Sequence, residues 1–92
     1  MFARTMRILN RTGLHARPAT LFAETASRFR SAIRVSAGNQ ETDARSMLGL
    51  MLLEAISGSE VTIEAQGEDE VAAVNSLVDL VARRFDEEPP QE

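Results

Sequence analysis

The hydrophobic period of this chain changes repeatedly between two residues and about 3.6 residues, and this change restricts the possible folds more than any other feature. Segment 2–9 alternates, with Phe2, Met6 and Ile8 on one side, which predicts a half-buried strand. Segment 16–29 predicts an amphipathic helix because its apolar residues recur every three or four positions. The predicted helical stripe consists of Ala19, Phe22, Ala26 and Phe29.

The rest of the chain continues the same change of period. Three further strands are predicted, at 32–37, 40–44 and 60–65. Gly38 and Asn39 predict a hairpin turn, Ser46 predicts the cap of a short helix over 47–53, and a last helix begins at Asp69 or a neighbour. Its predicted stripe consists of Val71, Val74, Val78, Val81 and Phe85. The order β-α-β-β-α-β-α predicts an α+β fold in which helices cover one face of an antiparallel sheet and the other face stays wet.

Composition restricts the classes of function. The 92 residues predict a single domain over 1–85, followed by a disordered acidic tail at 86–92. Cysteine is absent and histidine occurs once, so neither a metal site nor a cofactor is expected. We find no signal-peptide pattern and no apolar segment near the roughly 20 residues of a membrane span. A cytoplasmic monomer without membrane insertion is the expectation.

Charge is distributed unevenly along the chain. Residues 1–46 carry eight arginines and three acids, residues 47–92 carry two arginines and eleven acids, and the net charge is −4. A basic half can indicate nucleic-acid binding. Here the arginines are scattered, and Tyr and Trp are absent, so no nucleic-acid partner is expected.

The start of the first helix holds the candidate site. Pro18 is tolerated only in a first helical turn, so the helix begins just before it and His15 becomes the N-cap. The free N–H groups of Ala16 and Arg17 and the positive end of the helix dipole attract anions there. The Arg17 guanidinium matches phosphate oxygens, and the His15 ring can accept a phosphoryl group. The alternative is a histidine that merely precedes a helix.

Segment Gly13-Leu-His-Ala-Arg-Pro-Ala19 resembles the active-site signature of the HPr family, the histidine phosphocarriers of the bacterial phosphoenolpyruvate-dependent phosphotransferase system. The resemblance continues through segments 46–51 and 65–70 and covers about residues 2–85. It implies an open-faced β-sandwich, with a four-stranded antiparallel sheet and three helices on one face.

The same resemblance implies a relay of phosphoryl groups. His15 would accept phosphate on Nδ1 from phosphorylated enzyme I and pass it to a sugar-specific A component of enzyme II, while Arg17 stabilises the phosphate. The chain would then be a carrier and not an independent enzyme.

Ser46 has a structural role and a possible regulatory one. Its hydroxyl is predicted to cap the helix that follows. Some HPr proteins are phosphorylated at the matching serine by HPr kinase/phosphorylase, and transcriptional regulators are further possible partners. Many relatives keep the serine without the kinase, so both alternatives stay open.

The helix after Ser46 is apolar around its whole circumference. Leu50 and Leu53 are natural core positions, which leaves an apolar patch of Met47, Leu48 and Met51 for contact with partners. The alternative is a more deeply buried helix. By resemblance, this patch and the exposed side of the first helix form the docking face. The docking residues on the first helix would be Thr20, Leu21, Glu24 and Ser27.

The pathway stays open at this point. Enteric-type HPr proteins carry lysines around the positions of Glu24, Ser27 and Gly49, and the Phe85-Asp-Glu ending is similar to nitrogen-related paralogues. A nitrogen-related or regulatory carrier is therefore an alternative to a sugar-uptake carrier. A binding module that docks on regulators without turnover is a third, although relatives of that kind lack the active-site histidine.

Overall fold

The computed structural model describes residues 1–86, which form four strands, three α-helices and a final 3₁₀ turn. The strands are β1 (Phe2–Arg7), β2 (Ala32–Ala37), β3 (Gln40–Asp43) and β4 (Glu60–Gln66). The helices are α1 (Ala16–Ala26), α2 (Met47–Leu52) and α3 (Glu70–Ala82), and the 3₁₀ turn spans Arg84–Asp86. The sheet has the order β1-β4-β2-β3 and every pairing is antiparallel. The predicted fold class and element order are confirmed, with strand ends shifted by one or two residues.

One face of the sheet carries the core. Ile63 of β4 pairs with Val35 of β2, and their side chains are buried beneath the helices. On the opposite face, the Thr5 and Thr62 hydroxyls hydrogen-bond at 2.9 Å, and the exposed Arg34 forms an ion pair with Glu41. The three helices therefore cover one face, and the other is in contact with solvent.

Helix α1 ends earlier than the sequence predicts. Ala19, Phe22 and Ala26 are buried as expected, but Phe29 lies beyond the helix and is only half-buried. The Ser27 hydroxyl donates to the Ala23 carbonyl oxygen at 2.8 Å. The N–H groups of Arg28 and Phe29 then donate to the carbonyl oxygens three residues earlier, and not four as in an α-helix. The predicted end at Phe29 is wrong because these shorter bonds close the helix.

Asp69 holds the start of α3 against the connection between α1 and β2. Its carboxylate accepts hydrogen bonds from the backbone N–H groups of Arg30 and Ser31, both at 2.9 Å, and from the Ser31 hydroxyl at 2.5 Å. These bonds stabilise the ionised form, the Ser31 hydroxyl most of all, and lower the pKa of Asp69. Asp69 is also the N-cap of α3, as predicted.

The buried face of α3 differs from the predicted one. Val71 is 49% exposed, and Val78 is half-buried. Because α3 is apolar around much of its circumference, its valines alone do not determine which side meets the sheet. The residues of α3 that pack into the core are Ala73, Val74, Leu77, Leu80 and Val81.

The chain turns back after α3. Phe85 is buried, as predicted, but it lies in the 3₁₀ turn with a left-handed backbone (φ 57°) and not on the helix. Asp86, the first residue of the predicted disordered tail, accepts a hydrogen bond from Arg83 Nε at 3.2 Å. The rest of that tail, 87–92, lies outside the described residues. Over residues 1–86, we find no helix of sufficient length and hydrophobicity to span a membrane.

Candidate functional site

His15 lies at the N-cap of α1, as the position of Pro18 predicts. Its backbone is extended (φ −76°, ψ −175°), and its carbonyl oxygen accepts the hydrogen bond from Ala19 N at 2.9 Å. The side chain makes no capping hydrogen bond and is exposed. The imidazole is therefore accessible to a reacting group from solvent or from a partner protein.

The first turn of α1 offers hydrogen-bond donors beside this imidazole. The N–H groups of Ala16 and Arg17 precede the first helical hydrogen bond, and Pro18 has no N–H. Both residues are exposed, and the Arg17 guanidinium makes no hydrogen bond or ion pair with the residues that the structure describes. Amides, guanidinium and helix dipole together favour an anion at this end of α1.

The segment before His15 is fixed against the chain that follows α2. Gly13 has φ +67°, and a Cβ there would overlap the carbonyl oxygen of Ala55. Leu14 is buried, and its N–H donates to the same oxygen at 2.9 Å. Asn10 Nδ2 donates to the Gly13 carbonyl oxygen at 2.9 Å. These contacts hold the backbone of His15 from the N-terminal side, while α1 holds it from the other.

An open groove of about 290 Å³ lies beside the imidazole. Its walls are mainly apolar and come from the loop before α1 and from the end of α2 with the residues that follow. The residues that line it are Thr12, Leu14, His15, Met51, Glu54, Ala55 and Ile56. Among residues 1–86, no cluster of three His, Asp or Glu side chains could hold a metal ion.

The structure brings the proposed docking residues of α1 and α2 to adjoining positions. The Thr20 hydroxyl lies 2.8 Å from the Met47 sulfur, and it donates to the Ala16 carbonyl oxygen at 2.8 Å. Met47 is exposed and Leu48 is 64% exposed. Leu50 and Leu53 are buried, which matches the two core positions predicted on this helix. The alternative of a deeply buried α2 is therefore wrong.

Some predicted docking residues have a mixed environment. Met51 is half-buried, packs against the core and lines the groove, so it is not a fully exposed patch residue. Leu21 likewise packs partly against the core. Glu24 is exposed, and Ser27 is exposed at the C-cap of α1.

Three surface residues near the site were not predicted. Leu52 and Ile56 are 59% and 70% exposed, and they enlarge the apolar surface around α2. The apolar circumference of α2 was the signal that could have identified Leu52, whereas Ile56 lies beyond the helix. Glu54 lines the groove beside His15 and has no comparable signal in the sequence, because hydrophobic period does not reveal where a loop carboxylate points.

Ser46 caps α2 as predicted. Its hydroxyl oxygen accepts a hydrogen bond from Gly49 N at 2.9 Å. A Cβ at Gly49 would overlap the Thr42 side chain, so α2 and β3 lie in close contact at this glycine. The preceding Arg45 donates to backbone carbonyl oxygens in the connection between α1 and β2, those of Phe29 at 2.6 Å and Ser31 at 2.9 Å.

Comparison with known proteins decides the family. The family described as "PTS HPr component phosphorylation site" matches residues 2–83, which is nearly the whole chain. The chain belongs to the HPr family. Its histidine at the N-cap, with Arg17 two residues later, lies within the matched region.

Individual HPr-family proteins agree with this assignment. The phosphocarrier protein HPr of Treponema pallidum is 42% identical over 88 residues, which cover 96% of this chain and 100% of the relative. The crystal structure of HPr from Thermoanaerobacter tengcongensis superposes with a TM-score of 0.92 and a sequence identity of 46%. The match covers 97% of this chain and 100% of the chain in that structure. Another structure of that HPr is described as a dimer, with a TM-score of 0.74 over 92% of this chain and 98% of its own.

Relatives with other names are also similar. The phosphocarrier protein NPr of Shewanella violacea is 40% identical, over 91% of this chain and 92% of the relative. The HPr-like protein Crh of Bacillus subtilis is 41% identical, over 88% of this chain and 95% of the relative. The family is therefore shown, whereas the pathway within it is a separate question.

Proposed function

We propose that this chain accepts a phosphoryl group on His15 from phosphorylated enzyme I and passes it to a sugar-specific A component of enzyme II. The observation that carries this proposal is the exposed imidazole at the N-cap of α1, next to the N–H groups of Ala16 and Arg17. An ordinary N-cap residue such as Ser or Asp would use its side chain to cap the helix. Here the side chain makes no such bond and can react.

The proposed transfer needs positioning more than covalent chemistry. The lone pair of a neutral ring nitrogen, Nδ1 in this proposal, attacks phosphorus as the bond between phosphorus and the donor breaks. The N–H groups of Ala16 and Arg17 and the Arg17 guanidinium bind the phosphoryl oxygens. In the second half of the relay the N–P bond breaks, the acceptor forms a bond to phosphorus, and the imidazole is regenerated.

The proposed docking face extends from His15 along α1 and α2, and its α2 part is largely apolar. It combines the exposed side of α1 with α2 and its C-terminal end. Its proposed members are Thr20, Leu21, Glu24, Ser27, Met47, Leu48 and Met51, to which we add the exposed Leu52 and Ile56. Flexible thioethers and exposed aliphatic side chains suit a surface that must fit both a donor and several acceptors. We propose that the protein acts in the cytoplasm as a monomer, which light scattering on the purified chain would test.

We further propose that phosphorylation of Ser46 regulates docking. A phosphate would add roughly −1.5 to −2 charge next to Met47 and Leu48 at the edge of the apolar face. The oxygen that would carry it is the one that accepts the hydrogen bond from Gly49 N. We expect weaker encounter with enzyme I. Incubation with ATP and HPr kinase tests the site, because label that persists in Ser46→Ala would reject it.

A nitrogen-related or regulatory role is the second candidate. It is supported by the similarity to NPr of Shewanella violacea and to Crh of Bacillus subtilis, and by the acidic Glu24 where enteric-type relatives carry lysine. Transfer rates measured with sugar-type and nitrogen-type enzyme I, each at equal concentration, distinguish the two pathways. The faster donor identifies the pathway, and binding without transfer from either donor would favour a regulatory module.

Labelling from phosphoenolpyruvate tests the common chemistry. Wild-type chain, enzyme I and labelled phosphoenolpyruvate should give an acid-labile, base-stable adduct, and His15→Ala should give none. The unfolding temperatures of the two proteins should agree, because His15 is exposed and makes no side-chain capping bond. Equal labelling of His15→Ala and wild type would reject the proposed function.

A further inference from the structure

Glu54 adopts a backbone conformation that favours glycine. Its φ is +55°, in the left-handed region where an L side chain is disfavoured. It follows Leu53, the C-cap of α2, and its N–H donates to the Met51 carbonyl oxygen at 3.1 Å. Glycine is common at this position after a helix, since it adopts the conformation without strain. The chain instead carries a charged side chain there.

Glu54 lies in the same groove as His15. Glu54 and His15 line the same groove, and the other residues that line it are uncharged. The Glu54 carboxylate is exposed and makes no hydrogen bond or ion pair with any residue in 1–86. Its charge is therefore not neutralised by any residue in 1–86, and Glu54 lines the groove that His15 also lines.

We infer that Glu54 destabilises the phosphoryl group on His15 and so increases the rate at which that group leaves. This inference rests on the proposed function. A phosphoryl group on the ring carries up to two negative charges, and a carboxylate in the same groove repels them. The repulsion decreases as the N–P bond breaks and the charge moves away, so the carboxylate favours departure over retention. Glu54 would thus set the rate of departure through its charge alone, without forming a bond to the phosphoryl group.

Hydrolysis of the isolated phosphoprotein shows this effect without a partner. Water attacks phosphorus, the N–P bond breaks, a P–O bond forms, and a proton from water is left on the ring nitrogen. Inorganic phosphate and neutral imidazole are the products, and no other reactant is needed. The half-life of the labelled protein therefore measures the stability of the N–P bond in its own groove.

Two substitutions separate charge from backbone strain. Glu54→Gln removes the charge and keeps the strained φ, whereas Glu54→Gly removes both. We expect both variants to hold the phosphoryl group about 3- to 10-fold longer than wild type at low ionic strength. The ratio of the variant half-life to the wild-type half-life should approach one in roughly 1 M salt, because exposed charges are screened there. A purely structural role would not give this dependence on salt.

Glu68→Gln is the matched control because it removes the same charge elsewhere. Glu68 is exposed and follows β4, whose last residues lie at the end of the sheet near Ser31, away from the groove. The half-life of the phosphorylated Glu68→Gln variant should equal that of phosphorylated wild type. An unchanged half-life in Glu54→Gln, a change in Glu54→Gly alone, or an equal change in Glu68→Gln would each overturn the inference. Wild-type protein that takes up no label on His15 would instead reject the proposed function and this inference together.

Discussion

Gly13→Ala tests whether the segment before His15 is fixed by close packing against Ala55. Two effects add in this variant. The left-handed backbone (φ +67°) costs an alanine about 1 kcal/mol relative to glycine. The new methyl group also overlaps the Ala55 carbonyl oxygen, and forcing an extra group into a packed site costs about 1–3 kcal/mol. We expect a total loss of about 3 kcal/mol in the free energy of unfolding.

A matched control separates these two effects. Gly38 has a similar backbone (φ +60°), but a Cβ there would meet nothing within 4 Å. Gly38→Ala should therefore lose only about 1 kcal/mol, the part that comes from the backbone conformation. The difference between the variants, about 2 kcal/mol, measures the packing of Gly13 against Ala55.

Urea denaturation gives both free energies, and the rate of labelling by enzyme I gives the effect on function. A domain of this size should lose about 4–8 °C of unfolding temperature per kcal/mol. Gly13→Ala should also accept phosphate more slowly, since the His15 backbone must shift to relieve the overlap. Equal stability of the Gly13→Ala and Gly38→Ala variants would refute the argument that packing at Ala55 holds His15.

Two further predictions concern the contacts that fix the helices. Ser46→Ala removes the hydrogen bond to Gly49 N and should lower the free energy of unfolding by about 1 kcal/mol, measured by urea denaturation. The control variant Ser46→Thr should keep most of the wild-type stability. An equal loss of stability in Ser46→Ala and Ser46→Thr would contradict a capping role. The Asp69 carboxylate, whose pKa lies below its ordinary value near 3.8, contributes stability above that value and loses it as the pH falls through its folded pKa. The unfolding temperatures of wild type and Asp69→Asn should therefore converge as the pH falls from 6 toward about 2. Glu68→Gln is the control for the loss of a neighbouring carboxylate. A difference between wild type and Asp69→Asn that stays constant with pH would contradict the role of the Asp69 carboxylate.

The start of α1 could be predicted from the sequence because one residue determines it. Pro18 fixes φ and lacks an N–H, so the helix must begin within three residues before it. That restriction leaves only a few positions for the N-cap, and His15 is one of them. The end of α1 has no such marker, and it depends on the hydroxyl of Ser27 and on Asp69, which is distant in sequence.

Other features of the fold depend on packing that periodicity does not reveal. Val71 fits the predicted stripe of α3, yet it is exposed because Ala73 and Leu77 turn toward the sheet. Glu54 and Phe85 have left-handed backbones although neither is glycine. Sequence patterns identify this conformation mainly through glycine, so they could not predict the left-handed backbone of Glu54.

The position of the label in the phosphorylated chain tests the central claim most directly. Trypsin cuts after Arg11 and Arg28 but not between Arg17 and Pro18, so His15 lies in fragment 12–28 and Ser46 in a separate fragment. After labelling with enzyme I and phosphoenolpyruvate, mass spectrometry at alkaline pH should find the phosphoryl group only in fragment 12–28, on the imidazole. Phosphate on any other residue, with His15 unmodified, would contradict the account.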